Sequence, residues 1–321
     1  MKILITGGAG FIGAQLSNYL ISKNHCVHVV DNLLRGEMTR LNNKIKFLNI
    51  DLTDFQQVKK IDLNYDLIFH LAAINGTDNF YNQRSKVFEV GVKSILNIYD
   101  HFRSNKSKII VASSAEVYQN PKSFPTDENE RLVIPDINNA RYSYGGSKIF
   151  SELLVMNYGL DYFEKSIIFR PHNIFGPNMG YKHVIPQLIN KISKSIENKT
   201  SSIELIGDGS ETRAFCYIDD LIIGLEILMN RGNDKEIYHI GNPYEISIYD
   251  LAMKISKIMN YEGEIISGEK SHFGGAKRRC PNITKMKSIG YEPKVKLDEG
   301  LSKTVTWYLN NSDILNQNNL L

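Results

Sequence analysis

Lys2-Ile3-Leu4-Ile5-Thr6-Gly7-Gly8-Ala9-Gly10-Phe11-Ile12-Gly13 begins one residue into the chain, and its reading decides the fold. Lys2 to Thr6 is a short apolar run ended by glycines, the mark of a buried strand. Phe11 to Ser22 has helical spacing, with Ile12, Leu16, Tyr19 and Leu20 on one side. The loop between them satisfies Gly-x-Gly-x-x-Gly through Gly8, Gly10 and Gly13, and Gly-x-x-Gly-x-x-Gly through Gly7, Gly10 and Gly13. Glycine answers three needs in such a loop. The turn off the strand is tight, the backbone must approach a pyrophosphate, and the helix must pack close to the strand. The helix start then offers N–H groups and a partial positive charge to the phosphates. A strand before and a helix after give the motif its weight, and the segment predicts a dinucleotide site.

Outward from this loop, His25 to Val30 reads as a second strand ending at Asp31. A carboxylate there bonds the adenosine ribose hydroxyls and repels a 2′-phosphate, which predicts NAD rather than NADP. Arg35 lies nearby and pulls slightly the other way. Further strands are expected at Ile45 to Asn49, Leu67 to Leu71, Lys108 to Ala112 and Ser166 to Phe169, with helices at Val87 to Phe102 and Tyr144 to Tyr158. Alternating strands and helices mean βαβ units and a parallel sheet covered on both faces. The fold expected is α/β: a Rossmann-type doubly wound parallel sheet with a smaller C-terminal substrate domain. The NAD-binding domain spans residues 1–171, with later segments returning to it, and residues 172–309 form mainly the substrate domain. The boundary follows the loop composition of Pro171, Gly176, Pro177 and Gly180. Gly207-Asp208-Gly209 and Gly274-Gly275 break up the second half, and Leu297 to Leu309 reads as a closing amphipathic helix carrying Trp307. Residues 310–321 are an Asn-rich tail expected to fray.

Composition narrows the function. The 321 residues are 42% hydrophobic and 23% charged, as in a globular enzyme. A net charge of +3, with basic residues scattered, argues against nucleic acid and membrane surfaces as partners. Cys26, Cys216 and Cys280 are far apart and show no Cys-x-x-Cys or Cys/His spacing, so no metal site is expected. The apolar N-terminal run is too short for a signal peptide, and nothing approaches a span of ~20 apolar residues. A cytoplasmic setting is the expectation.

Ser113-Ser114-Ala115-Glu116-Val117-Tyr118 directly follows the fifth strand, and open α/β sheets bind ligands at such carboxyl ends. Tyr144-Gly145-Gly146-Ser147-Lys148 places a phenol and an ammonium at i and i+4 on one helix face. A lysine so placed lowers the phenol's pKa and makes a base accessible.

With these residues in view, the chain resembles the extended short-chain dehydrogenase/reductases, the NAD-dependent nucleotide-sugar epimerases and dehydratases. The likeness runs from Lys2 to about Tyr308. It covers Thr6 to Gly13, Asp31-Asn32, Asp51-Leu52, His70 to Ala73, Ser113 to Tyr118, the Tyr144/Lys148 pair, Arg170 to Pro177, Gly207-Asp208-Gly209 with Arg213-Ala214-Phe215, and Arg278 to Pro281. The resemblance implies that Tyr144 removes the proton from the sugar 4-hydroxyl, Ser114 bonds the same oxygen, and Lys148 holds the nicotinamide ribose. NAD would contact Gly7, Gly10, Phe11, Ile12, Gly13, Asp31, Asn32, Asp51, Leu52, Leu71, Ala72, Ala73, Tyr144 and Lys148. Asn173, Arg213 and Arg279 would face the diphosphate of a nucleotide-sugar substrate, and the helices near Val87–Phe102 and Tyr144–Tyr158 would pair in a homodimer. Two positions depart from the family: Gly91 stands where Asn is usual, and Gln119 where glycine is usual. The segment Ile74 to Tyr81 would reach toward the sugar.

The reaction turns on Ala115-Glu116. The 4,6-dehydratases usually carry Asp-Glu here and simple 4-epimerases two small or hydroxylated residues, while glucuronate decarboxylases also carry a glutamate. Glu116 is therefore a fourth candidate catalytic residue beside Ser114, Tyr144 and Lys148. A sugar 4-epimerase leads, with a UDP-glucuronate decarboxylase or a 4,6-dehydratase using Glu116 as alternatives. A non-catalytic NAD-binding sensor is the alternative of another class.

Overall fold

The computed structural model describes residues 1–103, 105–269 and 276–311. Six strands alternate with helices through the first half. They are β1 (Lys2–Thr6), β2 (Cys26–Asp31), β3 (Lys46–Asn49), β4 (Leu67–His70), β5 (Lys108–Ala112) and β6 (Lys165–Pro171). The helices between them are α1 (Phe11–Ser22), the one-turn α2 (Phe55–Val58), α3 (Thr77–Asn82), α4 (Arg84–His101) and α5 (Tyr142–Tyr162). The large sheet has seven strands, and its seventh comes from the second half of the chain. In order they are Ile237–Ile240, β6, β5, β4, β1, β2 and β3, all parallel. The returning strand sets Tyr238 beside Phe169.

Both faces of this sheet are buried, because alternate residues of one strand feed two cores. Ile3, Ile5, Val27, Val29 and Phe69 point to one core, which α1 and the later helices cover. Leu4, Val30, Ile68, Ile109 and Val111 point to the other, closed by Ile95, Ile98 and Tyr99 of α4 and Leu154 and Val155 of α5. Each such side chain contributes roughly 1.5–3 kcal/mol on burial. This two-sided demand explains why the strands read as continuous apolar runs.

The second half adds a three-stranded sheet in the order Glu245–Ser247, Thr212–Ala214, Arg278–Arg279. Helices Val184–Glu197, Ile218–Arg231, Ile248–Ile258 and Leu297–Asn310 pack around it and against the first core. Trp307 lies on the last of these, as its spacing predicts. The Gly274-Gly275 break and the tail beyond Asn311 lie outside the described residues. Among the described residues, no helix is long and apolar enough to cross a membrane. Strand order reverses between β1 and β4, and a cleft opens at such a switch point at the carboxyl ends of the strands.

Candidate active site

The glycine turn sits at that cleft. Gly7 has φ +68°, and a Cβ on it would lie 2.8 Å from the backbone of Ala72 after β4. A Cβ on Gly13 would lie 2.3 Å from the Gly7 carbonyl oxygen. These two glycines let the turn, the helix and the neighbouring strand end touch. Gly10 differs: a Cβ there would meet only the Gly7 carbonyl, at 3.3 Å, so the space above the start of α1 is open. No side chain caps α1 at Gly10. The N–H groups of Phe11, Ile12 and Gly13 therefore lack a helical acceptor, which suits a pyrophosphate.

Asp31 holds the turn from the adenosine side. Its Oδ2 accepts from the Ala9 N–H (3.1 Å) and its Oδ1 from the Leu33 N–H (2.8 Å). Burial pushes the Asp51 carboxyl up, but hydrogen bonds from Thr53 and Asn32 and the Lys86 charge outweigh it and leave it below its ordinary range. Leu52 is buried in the core, and its carbonyl accepts from Asn97 (2.8 Å). Leu71 and Ala72 leave β4 beside the turn, and Ala73 packs against Ile74, Phe80, Val87 and Tyr144. These residues fit a dinucleotide.

Beyond β5, the Ser114 Oγ accepts from the Glu116 N–H (3.1 Å) and closes a short 3-10 turn over Ala115–Val117. Its own proton is left to donate to the neighbouring Tyr144 phenol. Burial pushes Tyr144 up to about 12; Ser114 and Arg35 pull it down and the Glu116 charge pushes it up. The Lys148 Nζ lies 5.7 Å from the centre of the Tyr144 ring and donates to the Ala112 carbonyl (2.7 Å). Burial lowers Lys148 to about 8, against the opposing pull of Glu152. Lys148 stands at the distance its sequence spacing predicts, and Glu116 and Arg35 add their charges around the same phenol.

Glu152 is itself held from behind. Arg170 grips it in a two-pronged ion pair, Nε to Oε1 at 2.8 Å and Nη2 to Oε2 at 2.6 Å, and Ser113 donates to it. Arg170 also bonds the Tyr118 hydroxyl, which lies 2.6 Å from His239 Nε2. Tyr118 is thus committed to packing behind the site. His70 is likewise a satisfied core histidine, bonded to Thr6 (3.0 Å) and held down to about 3 by burial. Burial holds His172 neutral as well, well below its ordinary range, and neither ring nitrogen has a partner among the described residues.

Opposite Tyr144, three arginines converge on one carboxylate. Arg213 and Arg279 are register partners on adjacent parallel strands, so their side chains leave one face together. The Arg279 Nη1 donates to Glu116 Oε1 at 2.8 Å. Burial raises the Glu116 pKa, but Arg279, Arg141 and Arg213 outweigh it and hold the carboxyl below its ordinary range. Burial, with Arg279 beside it, lowers Arg213 to about 10. Arg141 is 8% exposed, and its Nε and that of Arg279 have no partner among the described residues. Three guanidiniums against Glu116, with Glu211 also acting on Arg213, leave an excess of positive charge that an anion would neutralise. Asn173, at φ +43°, sends its Nδ2 to the Ala214 carbonyl (3.1 Å) and ties the loop after β6 to the arginine strand.

A family model described as the NAD dependent epimerase/dehydratase family matches residues 3–241. The chain belongs to that family. It is an NAD-dependent enzyme of the nucleotide-sugar epimerase/dehydratase group. It is 30% identical over 319 residues to a UDP-N-acetyl-alpha-D-glucosaminuronate decarboxylase of Bacillus cytotoxicus, covering 96% of this chain and 97% of that one. It is 32% identical over 313 residues to a putative UDP-glucose 4-epimerase of Methanocaldococcus jannaschii, covering 97% and 99%. Among solved structures, the UDP-glucose 4-epimerase of Thermotoga maritima with UDP-glucose superposes with a TM-score of 0.87 at 26% identity, over 97% of this chain and 100% of that one. Family membership is thus clear, and the relatives' names divide among decarboxylation, 4-epimerisation and dehydration.

Three site residues in this family member escape a reading of the sequence. Segment 74–81 contains most of helix α3 (Thr77–Asn82), whose Phe80 ring stacks on Tyr144 with centroids 5.3 Å apart and planes 14° from parallel. Arg141 and Arg35 are the others. A basic residue one helical turn before Tyr144 was the only local signal for Arg141, and Arg35 resembled a 2′-phosphate ligand.

Proposed function

We propose that this enzyme is a nucleotide-sugar 4-epimerase working through a transient 4-keto sugar. The Glu116–Arg279 ion pair carries the reading. Dehydration or epimerisation at carbon 5 asks for a carboxyl that gives or takes a proton, and a carboxylate held ionised by three arginines is a poor acid and a weak base. Glu116 then acts as a positioning residue that aims Arg279. Tyr144 takes the proton from the sugar 4-hydroxyl, and Ser114 donates a hydrogen bond to the same oxygen. Lys148 holds the nicotinamide ribose. Bound NAD would supply a hydride acceptor and donor at carbon 4. Arg213 and Arg279 hold the diphosphate, and the loop tied by Asn173 borders it. Residues 1–171 and 172–309 divide the work between cofactor and sugar, in a cytoplasmic enzyme.

A second reading has support from one feature. The Arg141 guanidinium beside Glu116, whose Nε has no partner among the described residues, suits a sugar that carries its own carboxylate, which favours decarboxylation. Incubating a panel of nucleotide sugars in deuterated water and following them by NMR tests both. Inversion at carbon 4 with no deuterium uptake is expected. Deuterium at carbon 5, or loss of carbon 6 as carbon dioxide, would overturn the epimerase reading.

A further inference from the structure

Arg35 leaves the chain four residues after the end of β2, at the adenosine end of the cleft. Its root is fixed there. Glu37 N–H donates to the Ala9 carbonyl (3.0 Å), and a Cβ on Gly36 would lie 2.8 Å from the Ala9 Cβ and 2.9 Å from Asp31 Oδ1. The loop therefore lies hard against the glycine turn. The head of the side chain is elsewhere. Its Nη1 donates to the Asn75 carbonyl (2.7 Å), beyond the end of β4. Its Nη2 stands 3.3 Å from where a Cβ on Gly180 would be, in the loop before helix Val184–Glu197. Strand β1 separates β2 from β4, so root and head are two strand spacings apart, roughly 9–10 Å. Whatever lies on the β1 turn lies under this arginine.

That position is where a dinucleotide's pyrophosphate rests on the glycine turn. The segment Gly7 to Gly13 has no basic residue of its own. Arg35 is hemmed in by three loops and is still exposed to solvent, as a side chain lining a groove is. Its head bonds Asn75, beyond the end of β4, rather than Asp31 at the end of β2. Its neighbour Arg40 is already engaged with Glu37 (2.7 Å) and Asn178 (2.9 Å).

We infer that Arg35 is a clasp over the cofactor's pyrophosphate, tying the loops after β2 and β4 together above it and retaining NAD through turnover. A guanidinium offers paired donors to the phosphate oxygens while one N–H keeps its bond to Asn75. An enzyme that returns its hydride within each cycle gains from a cofactor that does not leave. Cofactor retention is read without any sugar, so the clasp holds whichever sugar reaction is correct.

The test is cofactor retention in the absence of any sugar. Purified wild type, Arg35→Ala and Arg35→Lys are loaded with NADH, and release is followed by loss of protein-bound NADH fluorescence after dilution into excess NAD. Arg35→Ala is expected to release NADH at least tenfold faster and to lose its NAD on gel filtration. Arg35→Lys, which keeps the charge and loses the fork, is expected to fall between. Thermal melting of the three apoproteins should coincide, which separates a clasp from a folding defect. Unchanged release in Arg35→Ala would overturn the proposal. So would a loss confined to NADPH, which would return Arg35 to the 2′-phosphate, or a melting loss in both variants that accounts for the faster release.

Discussion

Glu116 shows how much one side chain's meaning depends on its partner. In sequence it sits where the family places an acid or base. In the structure it lies 2.8 Å from Arg279 and is held ionised. Glu116→Gln is therefore expected to raise KM for the nucleotide sugar about tenfold, as Arg279 loses its aim, with kcat within a few-fold of wild type. A kcat fall of a thousandfold at unchanged KM would make Glu116 a proton carrier instead. Lys148 offers a pH test. Its ordinary value of 10.5 is depressed to about 8 by burial. A depressed lysine costs its full penalty below its folded pKa, and the cost fades between about 8 and 10.5, where the folded chain has lost the proton and the unfolded chain still holds it. The shift corresponds to about 3 kcal/mol, less the hydrogen bond to Ala112. Lys148→Met is expected to melt a few degrees above wild type at pH 7, with the gap closing toward pH 10, while turnover collapses. Melting curves across that range check it; a gap that widens with pH would contradict it. Gln119, at φ +54°, occupies a left-handed backbone position, which explains why glycine is usual in the family there. Its Nε2 donates to the Glu116 carbonyl (2.5 Å), a bond that glycine cannot make.

At the scale of elements, the decisive contact is α4 on α5. Gly91 of α4 faces Ser147 of α5, and a Cβ on Gly91 would lie 2.4 Å from the Ser147 Oγ and 2.6 Å from its Cβ. The glycine standing in place of the family's usual Asn thus lets the two helices approach closely, one residue from Lys148. Gly91→Ala is expected to cost roughly 1–3 kcal/mol through overpacking, visible as a lower melting temperature, and to reduce turnover by shifting Lys148. An unchanged melting temperature would mean the helices slide apart freely. The sequence places α1 at Phe11–Ser22 and β1 and β5 at their observed limits, because glycines and a change of period mark those ends. It begins α5 two residues late and ends it four early, at Tyr158 rather than Tyr162, for lack of a local stop signal. It reads 74–81 only as a segment reaching toward the sugar and assigns it no helix, because a six-residue helix has too few turns to show a period.

Across the whole molecule, the outer faces of α4 and α5 remain to be covered. Phe88 is 48% exposed, Leu153 59% and Tyr158 38%. The proposed homodimer would bury them in a four-helix interface. Light scattering at micromolar concentration is expected to show a dimer, and Phe88→Asp with Leu153→Asp a folded monomer; a monomeric wild type would refute the interface. The same whole-molecule view separates two kinds of information. The sequence alone determined the doubly wound sheet, the glycine turn, Asp31 at the end of β2 and the Ser114, Tyr144 and Lys148 set. Those features are local: a strand period, a turn that only glycine permits, an i,i+4 spacing. Tertiary structure decided what the side chains answer to. Glu116 and Arg279 are 163 positions apart and meet because the arginine strand folds back over the cleft. Arg35 reaches from the loop after β2 across the end of β1 to Asn75 after β4 because β1 lies between those strands. Phe80 stacks on Tyr144 because α3 is folded across it. Charge and contact act through space, and distance through space is set by the packing of the whole chain.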